Sequence, residues 1–184
     1  MLAGLLKGDE IAFKHLVNTY KNRVYNTILG FVPNRHDAED ITQEVFVKVY
    51  QHIHTFKRQS KLSTWLYRVS VSQALDFVRH KNRKKRFAFL TGLLGNDNEP
   101  LHEPADFAHP GVLMENRERS AILFGAMDKL PEKQRTAFVL QKVQDMSQQQ
   151  IADVKELNEG AVESLLTRAR ANLKKLLINY YSSI

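Results

Sequence analysis

Arg79, Lys81, Arg83, Lys84, Lys85 and Arg86 put six cations into eight consecutive positions. Such a cluster neutralises a polyanion, or it is simply the solvated end of a helix; a charge run alone does not decide. It closes the stretch "STWLYRVSVSQALDFVRHKNRKKR", which opens with the only tryptophan of the chain, Trp65. Other chemistry is poorly supplied. His52 and His54 in "HIH" would lie about 200° apart on a helix, with no acid or cysteine cluster beside them, so no metal site is expected. There is no glycine-rich phosphate loop, nucleophile elbow or Ser, His and Asp constellation, so neither an enzyme, a cofactor nor a small-molecule substrate is expected. With no cysteine, disulfides and thiolate ligands are excluded within the chain.

The 184 residues, 43% hydrophobic and 26% charged, suit one medium or two small folded domains. No apolar run reaches the roughly 18 residues of a membrane span, and "MLAGLLKGDE" is too short in apolar residues for a signal peptide; a cytoplasmic protein is expected. Net charge is +7, distributed as +9 over residues 1–86, −5 over 87–115 and +3 over 116–184. The acidic middle holds three of the five prolines and has no sustained period. It reads as a linker of about thirty residues, too long for one compact domain, so two domains that move relative to each other are expected.

The elements that must position the charges are helices. Phe13, Leu16, Val17, Tyr20, Val24, Ile28 and Phe31 recur at three and four from Glu10. "VPNRHD" breaks this helix, and Asp37 is expected to cap the next, whose stripe is Ile41, Val45, Val49 and Ile53. Glu39, Asp40, Gln43 and Glu44 lie near its acidic start, where the helix dipole favours carboxylates; a docking face is the other reading. The helix from Leu62 is apolar on two sides, Leu62, Trp65, Leu66 and Val69 on one and Val71, Ala74, Leu75 and Val78 on the other, which requires neighbours on both. Past the linker four helices follow. Pro131 suits a first turn, Ser147 and Gln150 form a capping box, and Asn158 caps a long helix buried through Val162, Leu165, Leu166, Ala169, Leu173 and Leu177. A short and a long helix joined at "KELN" are the form of a helix-turn-helix, or of a hairpin in a bundle, with Ser164, Thr167, Arg168 and Lys175 facing outward. The fold class is all-α: two small helical domains, the C-terminal one a helix-turn-helix, joined by a flexible acidic linker.

"DAEDITQEVFVKVYQHIHTF", the tryptophan stretch, and "LPEKQRTAFVLQKVQDMSQQQIADVKELNEGAVESLLTRARANLKKLL", in this order, resemble the extracytoplasmic-function sigma factors of bacterial RNA polymerase. The resemblance implies a cytoplasmic promoter-specificity subunit for stress-responsive transcription initiation, without catalysis, monomeric when free. It implies region 2 over 1–86, a linker over 87–115 and region 4 over 116–184. It implies that Asp37, Glu39, Asp40, Gln43 and Glu44 bind the β′ clamp coiled coil of core polymerase, with further contacts to the β subunit. Lys61, Ser63, Thr64, Trp65, Arg68 and Ser72 would handle the −10 element, with a base extruded into a pocket, while Arg79, Lys81, Arg83, Lys84, Lys85 and Arg86 hold phosphates. For the −35 element it implies Glu159, Glu163, Ser164, Thr167 and Arg168 near bases and Arg135 and Arg170 near phosphate, with Asn158 and Lys175 also in the −35 surface. The acidic linker would thread polymerase channels that otherwise hold nucleic acid. An anti-sigma factor, in many members membrane-anchored, is the implied inhibitor.

Four positions depart from the family pattern. Ser72 stands where many members have Asn, Glu156 where the turn glycine is usual, and Glu163 with Leu165 where Lys and Arg are common; promoter sequence therefore does not transfer. Two further classes compete: an autonomous helix-turn-helix DNA-binding transcriptional regulator, and an interaction protein with an acidic partner. No dimerisation heptad supports the first of these.

Overall fold

A computed structural model describes residues 2–90 and 115–181 of the chain. A short α1 (Leu2–Leu5) precedes α2 (Glu10–Leu29), which starts where the Asp9 carboxylate accepts from the amides of Ile11 and Ala12 at 2.8 and 3.3 Å. The cap of α3 (Arg35–His52) is Asn34, not the expected Asp37: Asn34 Oδ1 accepts from the Asp37 amide at 2.9 Å. Asn34 is the residue in extended backbone just before the helix, whereas Asp37 already lies inside the first turn. A 3₁₀ turn (Ile53–Thr55) leads to α4 (Leu62–Leu90), which runs past the expected boundary at Arg86. Of the α2 stripe Leu16, Val24, Ile28 and Phe31 are buried and Phe13, Val17 and Tyr20 half-buried against the core, and the α3 stripe of Ile41, Val45, Val49 and Ile53 is buried throughout.

The second group comprises α5 (Glu115–Asp128), α6 (Glu132–Gln144), α7 (Gln148–Lys155) and α8 (Glu159–Tyr181). Pro131 is the N-cap of α6 rather than a residue of its first turn; its extended ψ of 139° brings the chain in from outside the helix. Ser147 and Gln150 close the capping box at 3.2 and 2.9 Å, and Asn158 Oδ1 accepts from the Ala161 amide at 2.8 Å. Between them Glu156 adopts a left-handed φ of 55°, and the Leu157 amide donates to the Ala152 carbonyl at 3.0 Å, ending α7 and turning the chain into α8. Val162, Leu166, Ala169 and Leu173 are buried, while Leu165 and Leu177 are half-buried at the edge. Among the described residues there is no strand, and no helix is long and apolar enough to cross a membrane. Most of the expected linker, with four of its five acids, lies outside the described residues.

The two helical groups pack on each other. Helix α6 crosses α2 and α7 lies on α4. Leu66 and Ala74 are fully buried, and Val71 and Leu75 almost so. The second apolar side of α4 is thus covered by the second domain. Burial of a side chain such as Leu66 contributes about 2 kcal/mol. At the α2–α6 crossing, a Cβ on Gly30 would stand 2.6 Å from Val139 Cγ1. Glycine is needed there for close approach, because its φ of −61° is open to any residue.

Candidate nucleic-acid interface

Helix α4 borders a cleft at its start and an open, arginine-lined groove farther along. At its start Trp65 is half-buried against Phe56, ring centroids 5.6 Å apart. A cleft of about 410 Å³ opens beside it, walled by Trp65, Val69, Ser72 and Gln73 from α4 and by Lys48 and His52 from α3. Lys48 Nζ donates to Gln73 Oε1 at 2.6 Å and fixes that wall. One flat aromatic face with amide, hydroxyl and imidazole groups around it suits stacking of a planar ring and hydrogen bonding at its edge. Lys61 is exposed just ahead of the helix, and Ser63 and Thr64 are half-buried in its first turn. Lys48, His52 and Gln73 were not among the expected residues; the i, i+4 spacing of Lys48 and His52 was the available signal.

Farther along, Arg79, Asn82, Arg83 and Arg86 border one open groove with Asp76. Their three- and four-residue spacing puts three guanidinium groups on one face, a track for phosphates. Lys84 and Lys85 are exposed on neighbouring faces. Lys81 reaches back to Asp37 at 3.2 Å and lies 5.9 Å above the Phe77 ring.

Arg68 and Arg79 are already engaged. Arg68 Nη1 donates to Glu156 Oε1 at 2.7 Å and Nη2 to the Asp153 carbonyl, both of the second domain. Arg79 forms a fork onto Glu132, Nε to Oε2 at 3.1 Å and Nη2 to Oε1 at 2.7 Å, with Nη1 on Asp76 at 3.1 Å. The Glu132 carboxylate pushes the Arg79 guanidinium further up, by hydrogen bonding and then by charge. Beside them Lys155 is held below the usual ammonium range, chiefly because burial penalises its charge, and the attraction of Glu132 offsets this only in part.

On α3, Glu39, Asp40, Gln43 and Glu44 are exposed and available for docking. Asp37 is half-buried behind them, held by Lys81. The same stripe continues into Val47 and Tyr50, large apolar side chains that are 54% and 48% exposed and that sequence reasoning missed. On α8, Glu159, Glu163, Thr167, Arg168 and Lys175 are exposed and Ser164 half-buried, with Asn158 engaged in capping. Arg170 donates to Gln141 at 2.9 Å.

Arg135 does not join this outer surface. It is 7% exposed, with Nε donating to the Gly30 carbonyl at 3.0 Å, Nη2 2.5 Å from Asp128 Oδ1, and its guanidinium 5.5 Å from the Phe31 ring centroid. The position one turn into α6 faces α2, so the expected phosphate contact is replaced by a contact between domains. Burial pulls the guanidinium down from its ordinary value and the Asp128 carboxylate counters this. His52 and His54, expected to point apart, have ring centroids 6.2 Å apart, because α3 ends at His52 and the 3₁₀ turn winds differently. Among the described residues no further His, Asp or Glu gathers with them into a group of three.

Residues 16–84 match the family model Sigma-70 region 2, and residues 120–173 match Sigma-70, region 4. The ECF RNA polymerase sigma factor SigW of Bacillus subtilis is 32% identical over 173 residues, covering 93% of this chain and 91% of that protein. In fold, the chain is similar to CnrH, solved in complex with the cytosolic domain of CnrY, with a TM-score of 0.70, 24% identity, and coverage of 97% of this chain and 95% of that one. It is also similar to the sigma factor RpoE of Bartonella quintana, solved with the anti-sigma factor NepR, with a TM-score of 0.65, 21% identity, and coverage of 90% and 96%.

Proposed function

The chain belongs to the extracytoplasmic-function sigma factors of bacterial RNA polymerase, and we propose from that premise how its own residues divide the work. As a sigma factor it binds core polymerase and directs promoter recognition, DNA melting and transcription initiation. The observation that carries the assignment of roles is α4, which joins a tryptophan-walled cleft to a track of arginines on one helix. An extruded base of the −10 element enters the cleft between Trp65, His52 and Gln73, and the flanking phosphates run along Arg79, Arg83 and Arg86. Base stacking of this kind is worth about 1–3 kcal/mol, comparable with the cost of extrusion. Region 4 reads the −35 element with Thr167, Arg168 and Glu163, where Glu163 accepts from a cytosine amino group. The exposed carboxylates of α3, extended by Val47 and Tyr50, dock on the polymerase β′ clamp. The protein works in the cytoplasm, performs no catalysis of its own, and is restrained by an anti-sigma factor seated on one or both domains.

Purified protein added to bacterial core polymerase with genomic DNA should produce a defined set of new transcript starts preceded by two shared elements. No new starts, together with tight salt-sensitive DNA binding by the protein alone, would instead identify an autonomous helix-turn-helix regulator.

A further inference from the structure

The −10 and −35 elements lie about 25 base pairs apart, hence about 85 Å along B-form DNA. In this structure Arg68 of the −10 helix touches Glu156, the turn residue three positions ahead of the −35 recognition helix, at 2.7 Å. The exposed reading residues of α8 begin at Glu159 and reach Arg168, within about 15 Å of that turn. The packed arrangement therefore cannot read both elements at once. When the promoter is engaged, the pairs Arg68–Glu156 and Arg79–Glu132 must separate.

What those pairs resemble decides their use. Glu132 meets Arg79 through two oxygens in the fork geometry with which a guanidinium grips a phosphodiester. Glu156 holds its place at a left-handed φ of 55°, a conformation that is strained for any residue but glycine. A glycine would relieve that strain and would forfeit the carboxylate on Arg68. Both arginines lie on the −10 surface, and both acceptor carboxylates come from region 4. We propose that Glu132 and Glu156 are intramolecular stand-ins for promoter phosphates, keeping Arg68 and Arg79 occupied and the chain closed until a nucleic-acid backbone takes their place. This rests on the reading of α4 as the −10 surface. Exposed ion pairs are individually weak, so they bias a seam whose packing is supplied by Gly30 against Val139 and by Val154 beside Val71 and Leu75. A weak bias suits a contact that must give way on the promoter.

The cysteine-free chain allows dye labelling at Asn18→Cys and Ala171→Cys, which lie on exposed positions of the two domains. Two variants separate charge from packing. Glu132→Gln with Glu156→Gln removes the carboxylates, and Gly30→Ala drives a methyl into Val139 while leaving every charge in place. Both should lower energy transfer and tighten binding of the unlabelled full-length protein to a mixed-sequence single-stranded oligonucleotide, by about three- to tenfold at roughly 0.1 M salt. Exchanging the partners, Arg79→Glu with Glu132→Arg, should restore closure. Unchanged energy transfer in the double Gln variant, or opened chains that bind the oligonucleotide no tighter, would overturn the proposal. The start-site assay is independent: a wild-type chain that initiates transcription but fails here keeps its sigma role and loses only the latch.

Discussion

Helices α4 and α8 both carry arginines on their polar faces, and they hold them in opposite ways. On α4, Arg68 and Arg79 are bonded to carboxylates and a carbonyl of the other domain. On α8, Glu163, Thr167 and Arg168 are exposed, and Arg170 bonds only within its own domain. The difference follows from which faces meet: α7 covers the second apolar side of α4, whereas α8 buries its apolar stripe on α5, α6 and α7 and leaves its polar side outward. Arg68 and Arg79 are therefore engaged at the seam between the domains, whereas the polar face of α8 is open to solvent.

Substitutions can break this contrast. Arg135→Ala, at the seam, should have the largest effect, a loss of about 3 kcal/mol of folding stability in denaturant melts, since it removes a buried guanidinium with its bond to the Gly30 carbonyl and its ion pair with Asp128. Selected −35 sequence should not change; altered −35 phosphate contacts with normal stability would put Arg135 back on the reading surface. Replacing Arg83, Lys84 and Lys85 together by Ala should weaken promoter binding by about thirty- to hundredfold near 0.1 M salt and cut the log–log salt slope by about 2 to 3. An unchanged slope would make that run a solvated helix end. Arg168→Ala, on the open surface, should cost about tenfold in −35 binding and relax sequence choice at one position, read by selection from randomised −35 sequences. The smallest change is expected from Glu156→Gly, in which relief of backbone strain offsets the lost ion pair. Its stability should stay within about 0.5 kcal/mol of wild type, while Glu156→Ala, which keeps the strain and loses the pair, should fall by about 1 kcal/mol.

Much of the fold was legible because the signals are local. The stripes on α2, α3 and α8, the capping box at Ser147 and the cap at Asn158 all depend on neighbours within four residues. Asp37 misled because two polar residues near a helix start both look like caps, and only backbone geometry at Asn34 separates them. The candidate site was legible in part. Trp65, Arg68 and the basic run stood out by type, but Lys48, His52 and Gln73 became a cleft only when α3 and α4 packed side by side. Val47 and Tyr50 read as ordinary apolar residues until their exposure was seen.

The sequence by itself determined that the chain is helical, where its helices lie, and that α4 needs a neighbour on each side. Hydrogen bonding and side-chain spacing along one helix specify those features without reference to distant residues. Which element would cover the second side of α4 was decided only by the tertiary structure. So was the withdrawal of Arg135 from the surface, the need for glycine at position 30, and the use of Glu156 in place of a turn glycine. Each of these depends on groups separated by some 90 to 110 positions in the chain, brought together by complementary shape and charge, which no helical period records.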